Sequence, residues 1–212
     1  MPTFLTFGDS NTHGTLPIVV EGERNRLGSD ARWPGICLQN LGADWTLVEE
    51  GLPGRTTRWP DPEMGPHMDG RVGLFIALES HGPIDVMTLM LGTNDLKAKF
   101  DVGPTQIADD VDRLLDIALS DEMQERHNDF KVLLICPPPI LEQGVISEQF
   151  SGRREKSLGL SDAYAKVAAK RGVSFLDAGT VIESSPVDGI HFGAEMHALL
   201  GQAVAEVLGG IL

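Results

Sequence analysis

The size and charge of the chain limit what it can do. It has 212 residues, of which 42% are hydrophobic and 23% are charged, a composition typical of a globular protein with one sizeable core. Its net charge of −14 repels phosphate backbones and anionic lipid, so we expect no nucleic-acid partner and no membrane partner. We expect a single domain spanning residues 1–212.

The sequence also predicts where the protein works. No apolar stretch approaches the length of a membrane span, and no basic and apolar leader precedes the first strand-like segment, which favours a cytoplasmic protein. The two cysteines, Cys37 and Cys136, lie among apolar neighbours without CxxC spacing. We therefore expect buried free thiols, with a disulfide as the open alternative.

Five short apolar segments have the composition of β-strands. Two of them, IDVMTLML and KVLLICP, lack polar alternation, which is typical of strands buried on both faces of a parallel sheet. The predicted strands are Thr3–Phe7, Trp45–Val48, Ile84–Leu91, Lys131–Cys136 and Val173–Leu176.

Segments with helical spacing of apolar residues separate these strands. The clearest has its apolar residues on one face and four aspartates mostly on the other, and we expect Ser29 or Asp30 to cap the first helix. The alternation predicts an α/β protein, a three-layer α/β/α sandwich around a central parallel sheet of about five strands. The predicted helices are Trp33–Leu41, Val72–Leu78, Pro104–Leu119, Arg153–Arg171 and Ala194–Leu208.

Polar and glycine residues follow the predicted strands. Ser10 comes after the first strand, Gly54 after the second and Asn94 after the third, while Asp188 and His191 precede the last helix. Ligands of open parallel sheets bind beyond the carboxyl ends of the strands. We therefore expect these residues to meet at one edge of the sheet.

Together these groups suit acyl transfer. A serine hydroxyl is a poor nucleophile unless a base takes its proton, and His191 can be that base for Ser10. Asp188, three residues earlier, can reach the far ring nitrogen and stabilise the imidazolium. The backbone N–H groups of Ser10 and Gly54 and the side chain of Asn94 could donate to a developing oxyanion. For each residue alone, a turn or helix-cap role stays open.

Two other residues in the first turn have a less specific interpretation. Asp9 adjoins Ser10 and could act as a base, but we expect it to tie down the turn or cap a helix. We expect His13 to lie at a surface or interface, with a place at the active-site entrance as the alternative.

Four motifs occur in a fixed order along the chain: GDSNTHG, EEGLPGRTT, LGTND and DGIH. In this order they resemble the SGNH hydrolase superfamily, or GDSL-type esterases, and most of all its arylesterase and acyltransferase branch. The resemblance implies the flavodoxin-like SGNH sandwich, with Ser10 as nucleophile, Asp188 and His191 as its partners, and Gly54 and Asn94 in the oxyanion hole. Asn11 stands where the family usually has leucine.

The resemblance further implies a function. Such enzymes hydrolyse short acyl esters of aryl and alkyl alcohols, and some transfer the acyl group to alcohols or peroxide. A carbohydrate acetylesterase, a lysophospholipase or thioesterase, and a non-catalytic assembly protein of the same fold are the alternatives. The family needs no metal and no cofactor, its partner is a small-molecule ester, and it tends to form homo-oligomers.

Two long loops, Gly51–Met68 and Pro137–Ser151, are candidate walls of a substrate pocket. Their apolar side chains could contact the acyl or alcohol part of a substrate, or could pack onto the body of the protein or a neighbouring subunit. The candidates are Trp59, Met64, Ile140, Ile146 and Phe150.

Overall fold

The computed structural model describes all residues, Met1–Leu212. Five parallel strands form one sheet in the order β2-β1-β3-β4-β5, which confirms the predicted parallel sheet. The strands are β1 (Thr3–Gly8), β2 (Thr46–Gly51), β3 (Val86–Met90), β4 (Lys131–Cys136) and β5 (Ser174–Asp177).

Helices cover both faces of the sheet and complete the predicted three-layer sandwich. α2 and α8 pack together over one face, while α3, α4 and α7 cover the other. The helices are α1 (Ser10–His13), α2 (Trp33–Leu41), α3 (Gly70–Ser80), α4 (Pro104–Ala118), α5 (Asp121–Arg126), α6 (Arg154–Leu158), α7 (Leu160–Arg171) and α8 (Ala194–Ile211).

The two core layers follow from strand geometry, because successive side chains of a strand point to opposite faces. On β1, Leu5 and Phe7 join the core under α3, α4 and α7, while Phe4 joins the core under α2 and α8. On β4, Leu134 and Leu133 divide in the same way. Both faces are apolar, which is why the central strands lack polar alternation.

The start of α2 differs from the prediction. Its N-cap residue is Arg32, without a capping side-chain hydrogen bond, so the expectation that Ser29 or Asp30 caps the helix is wrong. The ring of His197 on α8 caps the helix in part, because its Nδ1 accepts a hydrogen bond from the backbone N–H of Trp33 at 3.2 Å. A neighbouring helix has replaced the local cap.

The predicted helix Arg153–Arg171 is two helices. α6 ends at Leu158, and α7 begins at Leu160, so Gly159 alone separates them. A Cβ atom at residue 159 would lie 3.0 Å from the Pro104 side chain at the start of α4. A glycine therefore lets α4 approach the point at which the two helices meet.

Two helices depart from what apolar spacing predicts. On α3, Leu78 is buried, but Val72, Phe75 and Ile76 are exposed by 46% to 57%, so the predicted apolar face is only partly a core face. α5 was not predicted, because Met123 is the only buried residue of its six and one apolar residue makes no stripe.

The cysteines are buried and unpaired, as expected. No helix has the length and hydropathy needed to cross a bilayer. The cytoplasmic location inferred from the sequence stays a prediction.

Candidate active site

The first turn holds Ser10 just beyond the end of β1. Asp9 caps α1, since its carboxylate accepts a hydrogen bond from the N–H of Asn11 at 2.9 Å. A Cβ atom at Gly8 would lie 2.1 Å from the Thr12 hydroxyl oxygen. Only glycine at position 8 therefore allows the sharp turn that presents Ser10 at the sheet edge.

Residues from both ends of the chain meet at this turn. His191 Nε2 lies 3.0 Å from Ser10 Oγ, and His191 Nδ1 lies 2.6 Å from Asp188 Oδ2. All three residues are buried, with Ser10 7% exposed and Asp188 fully enclosed. This chain of hydroxyl, imidazole and carboxylate can move a proton away from the serine oxygen.

The environment of Asp188 favours its charged form. Its Oδ1 accepts hydrogen bonds from the N–H groups of Ile190 and His191, each at 3.0 Å, and its Oδ2 accepts one from Ile18 at 2.7 Å. Burial is the largest influence on the pKa of Asp188 and would raise it, but the His191 ring and the backbone donors outweigh burial and lower the pKa. The carboxylate is thus held ionised and fixed in direction.

Ser10, Gly54 and Asn94 line one cavity, and each carries a hydrogen-bond donor. The backbone N–H groups of Ser10 and Gly54 have no acceptor within the protein, and Gly54 adopts a left-handed φ of 91°. The amide Nδ2 of Asn94 donates to the carbonyl of Arg55 at 3.1 Å and, over a longer 3.3 Å, to Asp9 Oδ2. Such a cluster can stabilise negative charge on a substrate oxygen.

Asp9 serves the turn, as the sequence led us to expect. Besides capping α1, it contacts the amide of Asn94 and so helps to fix the direction of that side chain. Burial raises the pKa of Asp9 to about 6, although the N–H of Asn11 and the charges of His191 and Arg55 oppose the shift.

Asn11 links the first turn to the last one. Its Nδ2 donates to the carbonyl of Ile190 at 3.2 Å, the residue before His191. The amide thus adds a direct hydrogen bond between the segment that carries Ser10 and the segment that carries His191, at the position where the family usually has an apolar leucine.

A third buried carboxylate connects the loops that carry Gly54 and Asn94. Asp95 accepts hydrogen bonds from Thr57, from the backbone N–H at 3.0 Å and from the hydroxyl at 2.5 Å. Burial raises the pKa of Asp95 to about 7, while the bonds from Thr57 lower it. This contact sets the distance between the two loops.

A cavity of about 540 Å³ opens over Ser10, and only five of its 18 lining residues are hydrophobic. Of the apolar loop residues considered from the sequence, Met64, Ile146 and Phe150 line it. Trp59 and Ile140 do not. The Trp59 ring packs near Phe100 at 6.2 Å, and Ile140 belongs to the core under α3, α4 and α7.

Sequence reasoning missed one wall of the cavity. The segment Thr15–Arg26, here called the arm, closes on itself through a bridge between its two ends and a 2.9 Å hydrogen bond from Leu16 N to the Asn25 carbonyl. The only signal in the sequence was a long stretch without strand or helix pattern after the first motif. Besides the site residues Ser10, Gly54, Asn94 and His191, the further lining residues are His13, Thr15, Ile18, Glu21, Gly22, Glu23, Arg24, Pro53, Lys97, Gln149 and Ile190.

Comparisons with known proteins agree on one class. A model of the GDSL-like lipase/acylhydrolase family matches residues 6–199. Among solved structures, a carbohydrate acetylesterase from Sinorhizobium meliloti is 34% identical with a TM-score of 0.94, and the M. smegmatis aryl esterase is 36% identical with a TM-score of 0.93; each comparison covers 100% of both chains. A putative arylesterase from Agrobacterium tumefaciens is 36% identical, with a TM-score of 0.90 and the same coverage. A search of curated protein sequences finds no match.

The fold and these relatives define a carboxylic ester hydrolase with the SGNH fold. The chain belongs to the GDSL-like lipase/acylhydrolase family. Among its residues, no group of three or more histidine, cysteine, aspartate or glutamate side chains converges on a common point that could hold a metal ion.

The contact between Thr57 and Asp95 can be tested by Thr57→Val. This change removes a buried hydroxyl donor, so we expect the free energy of unfolding to fall by ~1–3 kcal/mol and kcat/KM for an aryl acetate to fall as well. The lost bond favours the charged carboxylate, so the pKa of Asp95 rises further above about 7. The stability loss should therefore be larger at pH 8 than at pH 5, as measured by chemical denaturation.

Thr57→Ser is the matched control, because it keeps the hydroxyl. It should stay close to the wild type in both stability and activity. If Thr57→Val matched Thr57→Ser in both measurements, the contact would have no role in holding the two loops.

Proposed function

We propose that this ester hydrolase acts on short acyl esters of aryl or alkyl alcohols through an acyl-enzyme on Ser10. The observation that carries the proposal is the buried chain of contacts from Ser10 Oγ to His191 Nε2, at 3.0 Å, and from His191 Nδ1 to Asp188 Oδ2, at 2.6 Å. Both distances are within the range of direct hydrogen bonds.

In the first step, His191 Nε2 takes the proton of Ser10 as Oγ attacks the ester carbonyl. The carbonyl oxygen becomes an oxyanion, which accepts hydrogen bonds from the N–H groups of Ser10 and Gly54 and from Asn94 Nδ2. Asp188 stabilises the positive imidazolium. The longer bond of Asn94, to Asp9 at 3.3 Å, is the one that the oxyanion replaces.

In the second step, the tetrahedral intermediate collapses. His191 Nε2 gives its proton to the departing alcohol oxygen, and the acyl group stays on Ser10. A water molecule, deprotonated by His191, then attacks the acyl-enzyme and releases the carboxylic acid. An alcohol or hydrogen peroxide in place of that water would receive the acyl group by the same step, which would give acyltransferase or perhydrolase activity.

Ser10→Ala tests the role of the serine. Because it removes the nucleophile, kcat for an aryl acetate should fall by roughly 10⁴-fold or more, while the thermal unfolding midpoint stays near that of the wild type. A covalent organophosphonate should label the wild type at Ser10 and fail to label the variant.

The control is Ser151→Ala, which changes an exposed serine in the second long loop. It should keep wild-type activity and labelling. Wild-type turnover in Ser10→Ala would sink the proposal, and absence of both turnover and labelling in the wild type would favour a non-catalytic protein of this fold.

A second candidate substrate class is an acetylated carbohydrate. The cavity wall carries four charged side chains, Glu21, Glu23, Arg24 and Lys97, which can bind the hydroxyl groups of a carbohydrate. Lys97 is nearly buried, and its nearest acidic oxygen, on Asp61, is 3.8 Å away, beyond hydrogen-bonding distance. The ammonium group is thus available to a substrate oxygen.

The other wall favours a small acyl group under either candidate. Met64 packs against Gly54, since a Cβ atom there would lie 2.6 Å from the Met64 thioether. The side chain narrows the cavity beside the proposed oxyanion hole. Long acyl chains, as in a lysophospholipid or a long-chain thioester, therefore fit the site less well than acetate or butyrate.

A substrate profile separates the two candidates. We expect kcat/KM to fall from aryl acetate to aryl hexanoate, and we compare aryl acetate with an acetylated sugar. If sugars are the substrate, Lys97→Met should lower kcat/KM for the acetylated sugar by about 10-fold or more, the size of one lost charged hydrogen bond, and leave aryl acetate much less affected. Lys166→Met, outside the cavity, is the control.

Equal losses on both substrates in Lys97→Met would contradict a role in recognising the sugar. A preference for acetylated sugars over aryl acetate in the wild type would overturn the arylesterase assignment. A preference for long acyl chains would overturn both.

We also propose that the protein forms homo-oligomers, as the family resemblance implies, with α3 at the interface. Val72, Phe75 and Ile76 are exposed along this helix, an apolar stripe that a second copy could cover. In sedimentation experiments the wild type should be larger than a monomer, and Phe75→Glu should shift it toward the monomer. Leu158→Glu, at another exposed apolar position, should leave the mass unchanged. A monomeric wild type would contradict the proposal.

A further inference from the structure

The arm does more than enclose the cavity, because one of its backbone groups reaches the triad carboxylate. The N–H of Ile18 donates to Asp188 Oδ2 at 2.7 Å, across 170 residues of sequence. The same oxygen lies 2.6 Å from Nδ1 of the His191 ring. Any movement of the arm at Ile18 therefore acts directly on the oxygen that orients the imidazole.

The other two backbone donors to Asp188 have a different origin. The N–H groups of Ile190 and His191 bind Oδ1 and belong to the same tight turn as the carboxylate itself. Because they belong to this turn, they keep their positions relative to Asp188 even if the whole turn moves. Ile18 is thus the only donor to Asp188 that comes from a separate segment, and the only one besides the imidazole on Oδ2.

The arm is also in contact with the space that substrate would fill. Ile18 and the charged tip, Glu21 to Arg24, line the cavity. The tip is held by a 3.3 Å hydrogen bond from Val20 N to Glu23 Oε2, and the base by a 2.7 Å bond from Arg26 Nε to the His13 carbonyl. The arm is exposed from Val19 to Arg26, whereas Ile18 is half-buried.

We propose that the Ile18 N–H is a positioning group for catalysis, which couples the cavity wall formed by the arm to the orientation of Asp188. The proposal rests on the role of Asp188 in the proposed function. With the donor in place, Oδ2 points at His191 Nδ1 and the imidazole is aimed at Ser10. Without it, the carboxylate is free to turn and binds a proton more readily.

This role predicts a kinetic signature that a simple wall would not produce. Loss of the donor should lower kcat with little change in KM for a small ester, because a misdirected imidazole impairs chemistry rather than binding. The acidic limb of the rate profile should move to higher pH, since a carboxylate with one donor fewer is more basic. Replacing a wall residue that only contacts substrate would change KM and leave the midpoint of the acidic limb unchanged.

The groups that titrate or carry charge near this oxygen are few. His191 binds Asp188 directly, and Asp9 and His197 act on the site through their charges on His191. Burial lowers the pKa of His197 to about 4, whereas Asp9 titrates with a pKa of about 6. Asp9 contributes to the acidic limb of every variant, so a matched pair of variants isolates the contribution of Ile18.

The experiment replaces the Ile18 amide by an ester, with the α-hydroxy acid analogue of isoleucine, which removes the N–H and keeps the side chain. The control is the same replacement at Val19, whose N–H donates to no acceptor in the protein. With aryl acetate, the Ile18 ester should reduce kcat by about 10-fold or more, leave KM within about two-fold, and raise the midpoint of the acidic limb. The Val19 ester should match the wild type.

The proposal is overturned if the Ile18 ester behaves like the Val19 ester, or if only KM changes. Asp188→Asn is measured beside them to separate this result from a failure of the proposed function. Wild-type kcat in Asp188→Asn would overturn the proposed function itself. Lost activity in Asp188→Asn together with a fully active Ile18 ester would overturn only the role of the arm.

Discussion

The hydrogen bond between His191 and Ser10 joins two segments 181 residues apart, and most features of the fold serve to bring them together. β1 lies inside the sheet between β2 and β3, so Ser10 follows the end of an interior strand. α8 is packed on α2, and His197 accepts the first N–H of that helix. The turn before α8 is therefore held over the end of β1, where Asn11 adds a direct link to it.

Three buried carboxylates lie at this edge of the sheet, and their surroundings explain why their pKa values differ. Asp188 receives three backbone donors and the imidazole, and its pKa is lowered. Asp9 and Asp95 have fewer compensating partners, so burial raises their pKa to about 6 and about 7. The carboxylate suited to stabilising an imidazolium at neutral pH is Asp188, while the other two carboxylates hold the turn and the loops that carry the proposed oxyanion donors.

Sequence patterns predicted the sheet because each strand has a strong apolar signal, and they predicted Ser10, Gly54 and Asn94 as neighbours because the ends of parallel strands share an edge. They failed where a tertiary contact replaced a local one. The cap of α2 comes from His197 on another helix, and the break at Gly159 reflects the approach of α4. The sequence also does not indicate which way an apolar side chain in a loop points. Met64 lines the cavity, whereas Trp59 packs against Phe100.

The arm shows the most general reason why a site cannot be read completely from its side chains. Its contact with Asp188 is made by a backbone N–H, which every residue except proline carries at position 18. Side chains along Glu21 to Arg24 can therefore change, and with them the ligands that the wall favours, without removing the bond to the carboxylate. In such an arrangement the ligand preference of the wall and the orientation of the imidazole depend on different atoms of one segment. Substitutions that bend or stiffen its backbone should affect both, and substitutions of its exposed side chains only the first.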